Sequence, residues 1–487
     1  MEKTTEKTDR FNKWWNFIDN IEGDKVVWIV VLMLILISVV AIFSSTPLLD
    51  DGGKSRLDII GEHLIIVIIG LASIWGIYKL DALKINTIKL FMNFSQLGFI
   101  SSFLLLLILC CHMNLGIIKA QKINEAWRTL SFLGFQIHVF EFAKVAMVMY
   151  LAWACHSYKK DQEMIASGNP SAKFKLANAL ARTKHFSFMG KPFWKRMAYM
   201  YIPAGIISLM VLMGSGSSGL FIGSILMATL MIGGIPLKEV GIGLVIALAM
   251  LGAGYGIYTI SDGKALSIFN RIPTMINRVN ADYDTAKLSQ TKIGSPDFYK
   301  ERDAILQPYG AKIAVHEGKA FGKGSGNSTQ KYIVTNIYGD YMFSFIIEEY
   351  GLFGGILVII LYVSLLARGS QIARMCKKEF TKIAVGGLTL LITGQAFMHM
   401  CVNVDMGPMT GQTLPLVSHG SFAFIMFCIA FGVILSISKL TKAQMMQAEA
   451  EAKPLYERDQ EVDDIQASMD ILDQIDSDSN NSLEDNI

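Results

Sequence analysis

An all-α, polytopic membrane protein is the fold this sequence predicts, and three observations predict it. Only 17 % of its 487 residues are charged while 52 % are hydrophobic, a balance unlike that of soluble chains. The apolar residues gather into ten runs, most of them near the length that crosses a bilayer. Lysine and arginine concentrate in alternate gaps between those runs. The net charge of +3 says little, because charge in such a chain is sorted by side of the membrane.

Residues 1–25 are polar and contain FNKWWNFI. Trp14 and Trp15 suit either an interfacial helix at headgroup level or a loose tail with two anchors. No removable signal peptide is expected, since the first apolar run lacks a small-residue cleavage site. The runs cover 26–46, 62–79, 90–111, 139–157, 197–213, 218–236, 240–260, 341–366, 382–404 and 419–438. Only Gly214 to Ser218 separates the fifth from the sixth. These runs form a membrane domain over 26–440, and 441–487 is a tail with a helix-prone start and an acidic, disordered end.

Orientation follows from the cations. The loop 158–196 carries Lys159, Lys160, Lys173, Lys175, Arg182, Lys184, Lys191, Lys195 and Arg196, and the loop 367–381 carries Arg368, Arg374, Lys377 and Lys378. Ten spans put both loops and both termini on one side, which the positive-inside rule makes cytoplasmic. The other side receives 47–61, 112–138, 261–340 and 405–418. The largest of these loops, 261–340, is basic through Arg271, Arg278, Lys287, Lys292, Lys312, Lys319, Lys323 and Lys331. Cations translocated against the trend suggest an anionic ligand, a lipid headgroup or a pyrophosphate.

Six cysteines (Cys110, Cys111, Cys155, Cys376, Cys401, Cys428) sit in or beside apolar runs without metal-ligand spacing and read as packing residues. Ionisable residues inside the membrane need a reason. Glu141 and Lys144 share one helix face and form a pair that either fixes the helix or lines a polar cavity. Asp340 stands where the large loop enters the eighth run, a helix N-cap position that also suits a reacting acid. Glu348 and Glu349 follow on adjacent faces; at most one is expected to reach a cavity and one to pair with a cation from another helix. His399, Asn403, Asp405, Thr410, Gln412, Ser418 and His419 cluster around a segment too rich in Gly and Pro for a plain helix, which predicts a re-entrant or cavity-lining loop. FGKGSGNS at 321–328 either cradles a phosphate or is a flexible turn; its spacing is not that of a nucleotide-binding loop.

Four blocks together resemble the shape, elongation, division and sporulation (SEDS) family. They are the loop and helix at 311–355, NEAWRTLSFLGFQIHVFEFAKVA at 124–146, GGIPLK at 233–238 and MTGQTLPLVSHGS at 409–421. GKGSGNSTQK and IIEEYGLFGG are more similar to the division branch, FtsW of the Bacteroidetes type, than to its sister elongation branch, RodA. The chain also departs from the family pattern. GSGSSGLFIG lacks an acid usual at the sixth span, Phe140 precedes Glu141 in place of Ser, His419 and Ser421 replace Tyr and Gly, and Trp127 and Arg128 stand in a shifted order.

The resemblance implies a peptidoglycan glycosyltransferase that polymerises lipid II, the undecaprenyl-pyrophosphate-linked disaccharide peptide, during septal wall synthesis. Asp340, in YGDYMFS, matches the family's essential aspartate, and Glu141, Lys144 and Arg128 match its charges at the fourth span. Asp340 is then the catalytic base. Glu141, Lys144, Arg128, Lys323, Thr410, Gln412 and Ser418 are expected to bind substrate, with a divalent cation such as Mg2+ able to share the phosphates. The implied partners are a class B penicillin-binding protein transpeptidase and other division proteins, with no nucleic acid. A flippase for lipid-linked precursors and a non-catalytic scaffold are the competing readings; no inverted repeat supports the first.

Overall fold

The computed structural model describes residues 22–46, 56–80, 86–168, 183–260 and 291–452, apart from isolated positions, together with Phe174, Asn178, Ala179 and Ala181. The segment holding Trp14 and Trp15, the cations Lys173, Lys175, Arg182, Arg271, Arg278, Lys287 and Lys292, and the acidic end of the tail lie outside the described residues. The chain divides into two compact units, Met1–Ser438 and Lys439–Ile487, and the described part of the second is helical.

In chain order the elements are α1 (Lys25–Ser45), α2 (Arg56–Tyr78), α3 (Thr87–Cys110), β1 (Ile118–Ile123), β2 (Ala126–Phe132), β3 (Phe135–His138) and α4 (Val139–Ala166). Then come α5 (Pro192–Gly214), α6 (Gly216–Ile232), α7 (Leu237–Ile260), α8 (Pro296–Gly318), α9 (Met342–Met375), α10 (Glu379–Asn403) and α11 (Ser421–Ala452). Every apolar run expected to span is a helix. Among the described residues eight helices are long and apolar enough to cross a membrane, and α6 and α7 occupy the remaining two runs. The chain is a multi-pass, all-helical membrane protein.

The helices are apolar on both faces because lipid replaces water on the outer one. On α1, Ile29, Leu32, Leu36, Val40 and Phe43 point outward, while Val27, Val31, Leu34, Ile35 and Ile42 are buried. Asp24 caps α1 by accepting from the Val27 N–H at 3.1 Å, and its other oxygen accepts from Arg368 Nε at 2.9 Å, tying this cap to α9. α4 and α11 form the centre, each 78 % buried over its apolar window, against 22 % for α2 and α3. Close approach of α10 to α4 depends on Gly387, where a Cβ would come within 2.7 Å of Val148.

Three features depart from the sequence reading. Residues 112–138 were expected to be loop; they include a three-stranded antiparallel meander in the order β1-β2-β3, with Thr129 facing His138. The large loop contains α8, started by Ser295, whose hydroxyl accepts from the Phe298 N–H at 3.2 Å. A stripe of Gly310, Ala311, Ala314 and Gly318 is its buried side. Finally, α9 is two helices. It breaks at Gly351, whose φ of +71° and ψ of −172° are outside helical space, leaving a short front half and a long rear half.

Candidate active site

The start of α4 supplies a buried cation. Lys144 is 2 % exposed, and its ammonium meets Glu141 at 2.7 Å, Gln395 Oε1 at 2.6 Å and Gln412 Oε1 at 2.9 Å. Three acceptors for three N–H bonds satisfy the group fully, which is how a charge survives at this depth. The two amides pass the contact on. Gln395 donates to the Thr413 carbonyl at 3.0 Å, and Gln412 donates to Ser218 Oγ at 2.7 Å. Ser217 donates to the Thr410 carbonyl at 3.0 Å. The serines at the start of α6, where the family pattern has an acid, therefore bind the 410–413 segment instead.

That segment is irregular yet well packed. Leu414, Leu416 and Val417 are buried, and Gly411 and Leu416 have positive φ. Ser418 accepts from the Leu414 N–H at 2.9 Å and donates to the Gly339 carbonyl at 2.7 Å, and the His419 N–H donates to the Tyr338 carbonyl at 2.9 Å. This Gly- and Pro-containing segment thus holds the residues leading into Asp340.

The N-cap position of α9 falls on Tyr341, one residue after Asp340. The first N–H groups of that helix are taken by side chains of α10: Phe343 N–H donates to His399 Nε2 at 3.4 Å, and Ser344 N–H to Asn403 Oδ1 at 3.0 Å. Because His399 Nε2 accepts, its proton is on Nδ1, which donates to the Gln412 carbonyl at 2.7 Å. Asn403 also donates to the Asp340 carbonyl at 3.0 Å. The main chain at Gly339 and Asp340 is thus held from two sides, by Ser418 on the first carbonyl and Asn403 on the second. Its half-buried carboxylate lies against Gly411, where a Cβ would stand 3.8 Å from Oδ2. Gly411 adjoins Gln412, so the acid and the Lys144 ammonium are linked through two consecutive residues of one loop.

The structure brings most of the expected residues together. Glu141, Lys144, Gln412 and the Thr410 main chain share one junction; Ser418 and Asp340 adjoin it. Arg128 lies in β2, and Arg128, Glu141 and Lys144 all act electrostatically on His138 at the end of β3. Gln395 and Ser218 were missed. Gln395, His399 and Asn403 recur every fourth residue of α10, a polar stripe on one helix face that would have revealed the first.

Lys323 is elsewhere. It meets Glu348 at 3.0 Å, Thr329 Oγ1 at 2.8 Å and, more closely, Glu317. Burial opposes its charge, but the Glu317 and Glu348 carboxylates outweigh this and hold its pKa above the ordinary value. The glycine-rich loop around it does cradle anions, but they are the chain's own. Glu348 accepts from Ser328 Oγ at 2.5 Å and from the Thr329 N–H at 2.9 Å. Glu349 accepts from Ser44 at 2.6 Å and from the Gly326 N–H at 3.0 Å. Both glutamates are fully buried, and the cation that meets Glu348 comes from the loop, not from another helix. Among the described residues no group of three His, Cys, Asp or Glu side chains could hold a metal ion.

Comparison with known proteins places these features in a family. Residues 24–443 match the model of the cell cycle protein family that takes in FtsW, RodA and SpoVE. The chain is similar to the probable peptidoglycan glycosyltransferase FtsW of Hahella chejuensis, at 37 % identity over 28 % of this chain and 35 % of that one. The relative of the same name from Methylomonas methanica is 32 % identical over 40 % of this chain and 50 % of its own. These matches span a third to a half of those relatives' lengths. The Enterococcus hirae FtsW is 26 % identical over 85 % of this chain and 92 % of its own. Among solved structures, the rod shape determining protein RodA of Thermus thermophilus superposes with a TM-score of 0.51 at 18 % identity, covering 86 % of this chain and 98 % of that one. A chain of a peptidoglycan synthase complex that coordinates polymerization and crosslinking gives 0.54 at 18 % identity, with the same coverage.

Proposed function

Since the chain belongs to the FtsW/RodA/SpoVE cell cycle protein family, we propose that it is a glycosyltransferase polymerising lipid II at the outer face of the bacterial cytoplasmic membrane during septal wall synthesis. The observation that carries this reading is the division of labour at the start of α9. His399 and Asn403 receive the Phe343 and Ser344 N–H groups, and Asn403 also holds the Asp340 carbonyl, so the main chain carrying the Asp340 carboxylate is fixed by α10.

Asp340 acts as general base on the C4 hydroxyl of the acceptor sugar. The hydroxyl oxygen attacks C1 of the donor sugar, its proton passes to Asp340, and the bond from C1 to the pyrophosphate oxygen breaks. Attack opposite the leaving group inverts the anomeric centre. Lys144 and Arg128 stabilise the departing pyrophosphate, whose charge needs no acid to leave. Glu141 orients Lys144 and keeps it charged. Gln412, Thr410 and Ser418 shape the loop between cation and base. Lys323 is assigned to the glutamates around it rather than to the phosphates.

A class B penicillin-binding protein transpeptidase and other division proteins are the proposed partners, lipid II the substrate and the septum the site of action. The test is polymerisation of lipid II by the purified chain, alone and with a candidate class B penicillin-binding protein transpeptidase from the same cell. Glycan strands support the reading. Movement of labelled lipid across a bilayer without lengthening would make the chain a flippase, and neither activity would make it a scaffold.

A further inference from the structure

The break in α9 is filled by another part of the chain, which we call the strap (residues 319–331). The Lys323 and Gly324 N–H groups donate to the Glu348 and Glu349 carbonyls at 2.8 and 2.9 Å, and the Leu352 and Phe353 N–H groups donate to the Lys319 and Ala320 carbonyls at 2.9 and 3.4 Å. Main-chain groups that a continuous helix would satisfy internally are thus satisfied by the strap, a requirement at membrane depth. The contact is close: a Cβ on Gly351 would stand 2.1 Å from the Ala320 carbonyl oxygen, and one on Gly322 2.2 Å from that of Glu349.

The two buried carboxylates fix the strap's register. Every partner of Glu348 described above is a donor from the strap, Lys323 included, and Glu349 adds Ser44 at the end of α1. Lys331, 7 % exposed, bears electrostatically on Glu349 while donating to the Gly326 carbonyl at 2.7 Å. Two adjacent acids without these partners would be strongly unfavourable here. The front half of α9 is a rod of roughly 13 Å, at 1.5 Å per residue. His399 and Asn403 hold one end, beside Asp340, and the strap holds the other.

We infer that Glu348 and Glu349 are positioning residues for Asp340: by locking the strap into the break at Gly351, they set the height and rotation of the half-helix that carries the acid. This rests on Asp340 being the reacting base. It follows that Lys323 acts through Glu348, without touching substrate.

The test uses the full chain in lipid nanodiscs, with Glu348→Gln, Glu349→Gln, Lys323→Met, the double variant K323M/E348Q and the milder Ser44→Ala, which leaves every charge in place. Kinetics with lipid II and amide exchange over 338–346 and 319–331 are read together, on protein whose melting shows it folded. The expected result is a kcat lowered about tenfold or more in the glutamate variants, with KM within about twofold. Exchange should quicken over 338–346 as well as over the strap, with smaller changes of the same kind in Ser44→Ala. The double variant should be no worse than the poorer single one. An unchanged kcat in folded protein would overturn the inference, as would a loosened strap that leaves 338–346 protected. A raised KM with unchanged kcat in Lys323→Met would return Lys323 to the substrate. Should the unsubstituted chain make no polymer, the functional reading fails, while the exchange data still decide whether the strap holds the half-helix.

Discussion

The two ends of α4 each hold a buried lysine against a carboxylate, and they do so differently. Near its start, Lys144 pairs with Glu141 at 2.7 Å; near its end, Asp161 pairs with Lys195 of α5, also at 2.7 Å. Both lysines are 2 % exposed. About 25 Å separates the two positions along the axis, at 1.5 Å per residue. At the far end Asp161 is itself fully buried, and further pairs surround it: Arg196 with Glu239, and Lys159 with Glu379 at 2.8 Å. These ion pairs join α4, α5, α7 and α10. At the near end the ammonium also takes two neutral amides, and these lead into an irregular loop and on to Asp340. Glu141 keeps 16 % of its side chain exposed. A pair that merely fixes helices has no use for such a connection, and under the proposed function the near end is the working one.

Replacing each pair by apolar residues is the sharpest way to break this comparison. Glu141→Leu with Lys144→Met should lower polymerisation by about a hundredfold, since cation and loop contact are lost together. Asp161→Leu with Lys195→Met should leave activity within about twofold, because exchanging a whole buried pair for apolar side chains is often neutral in stability. Equal losses at both ends would erase the distinction.

Removing one partner is the next largest effect. Lys195→Ala strands Asp161 in the protein interior, and about 3–5 kcal/mol of stability should go, read as a lower melting temperature and poor yield. Activity per folded molecule should change little. The helix caps come third. Asn403→Ala should cost about 1 kcal/mol and slow turnover by about tenfold with KM nearly unchanged, because it loosens the main chain at Asp340. The smallest effect belongs to the rim of the far belt. Lys159 and Glu379 are about one-third exposed, so Lys159→Met should shift stability by no more than about 1 kcal/mol.

What the sequence revealed follows from how far each signal reaches along the chain. Apolar runs announce spanning helices locally, and all ten expected runs are helices. α8 escaped because its buried side is made of Gly310, Ala311, Ala314 and Gly318, small residues that leave little hydrophobic periodicity. The meander escaped because its strands are short and mixed in polarity, down to four residues in β3. The break at Gly351 had no local sign, since a glycine in an apolar run looks like close helix packing. Its cause lies some thirty residues earlier, in the strap. The same distance misled the reading of Lys323 and the glycine-rich loop: anion-binding chemistry was legible there, but the anions were Glu348 and Glu349. Asp340, Glu141 and Lys144, the residues proposed for the site, stand out in the sequence because charge in an apolar context is conspicuous. The supply of helix caps by Asn403 and His399 depends on how α10 meets α9, which only the folded chain displays.

The account turns on the Asp340 carboxylate, and its most direct test is Asp340→Asn in the purified chain with lipid II. Asparagine keeps the shape and the main-chain grip of Ser418 and Asn403 while removing the base. The predicted result is a loss of polymerisation by a factor of about a hundred or more, the lower end of the range for removing a general base, with unchanged melting and unchanged lipid II binding. Substantial glycan polymer from the folded variant would contradict the assignment.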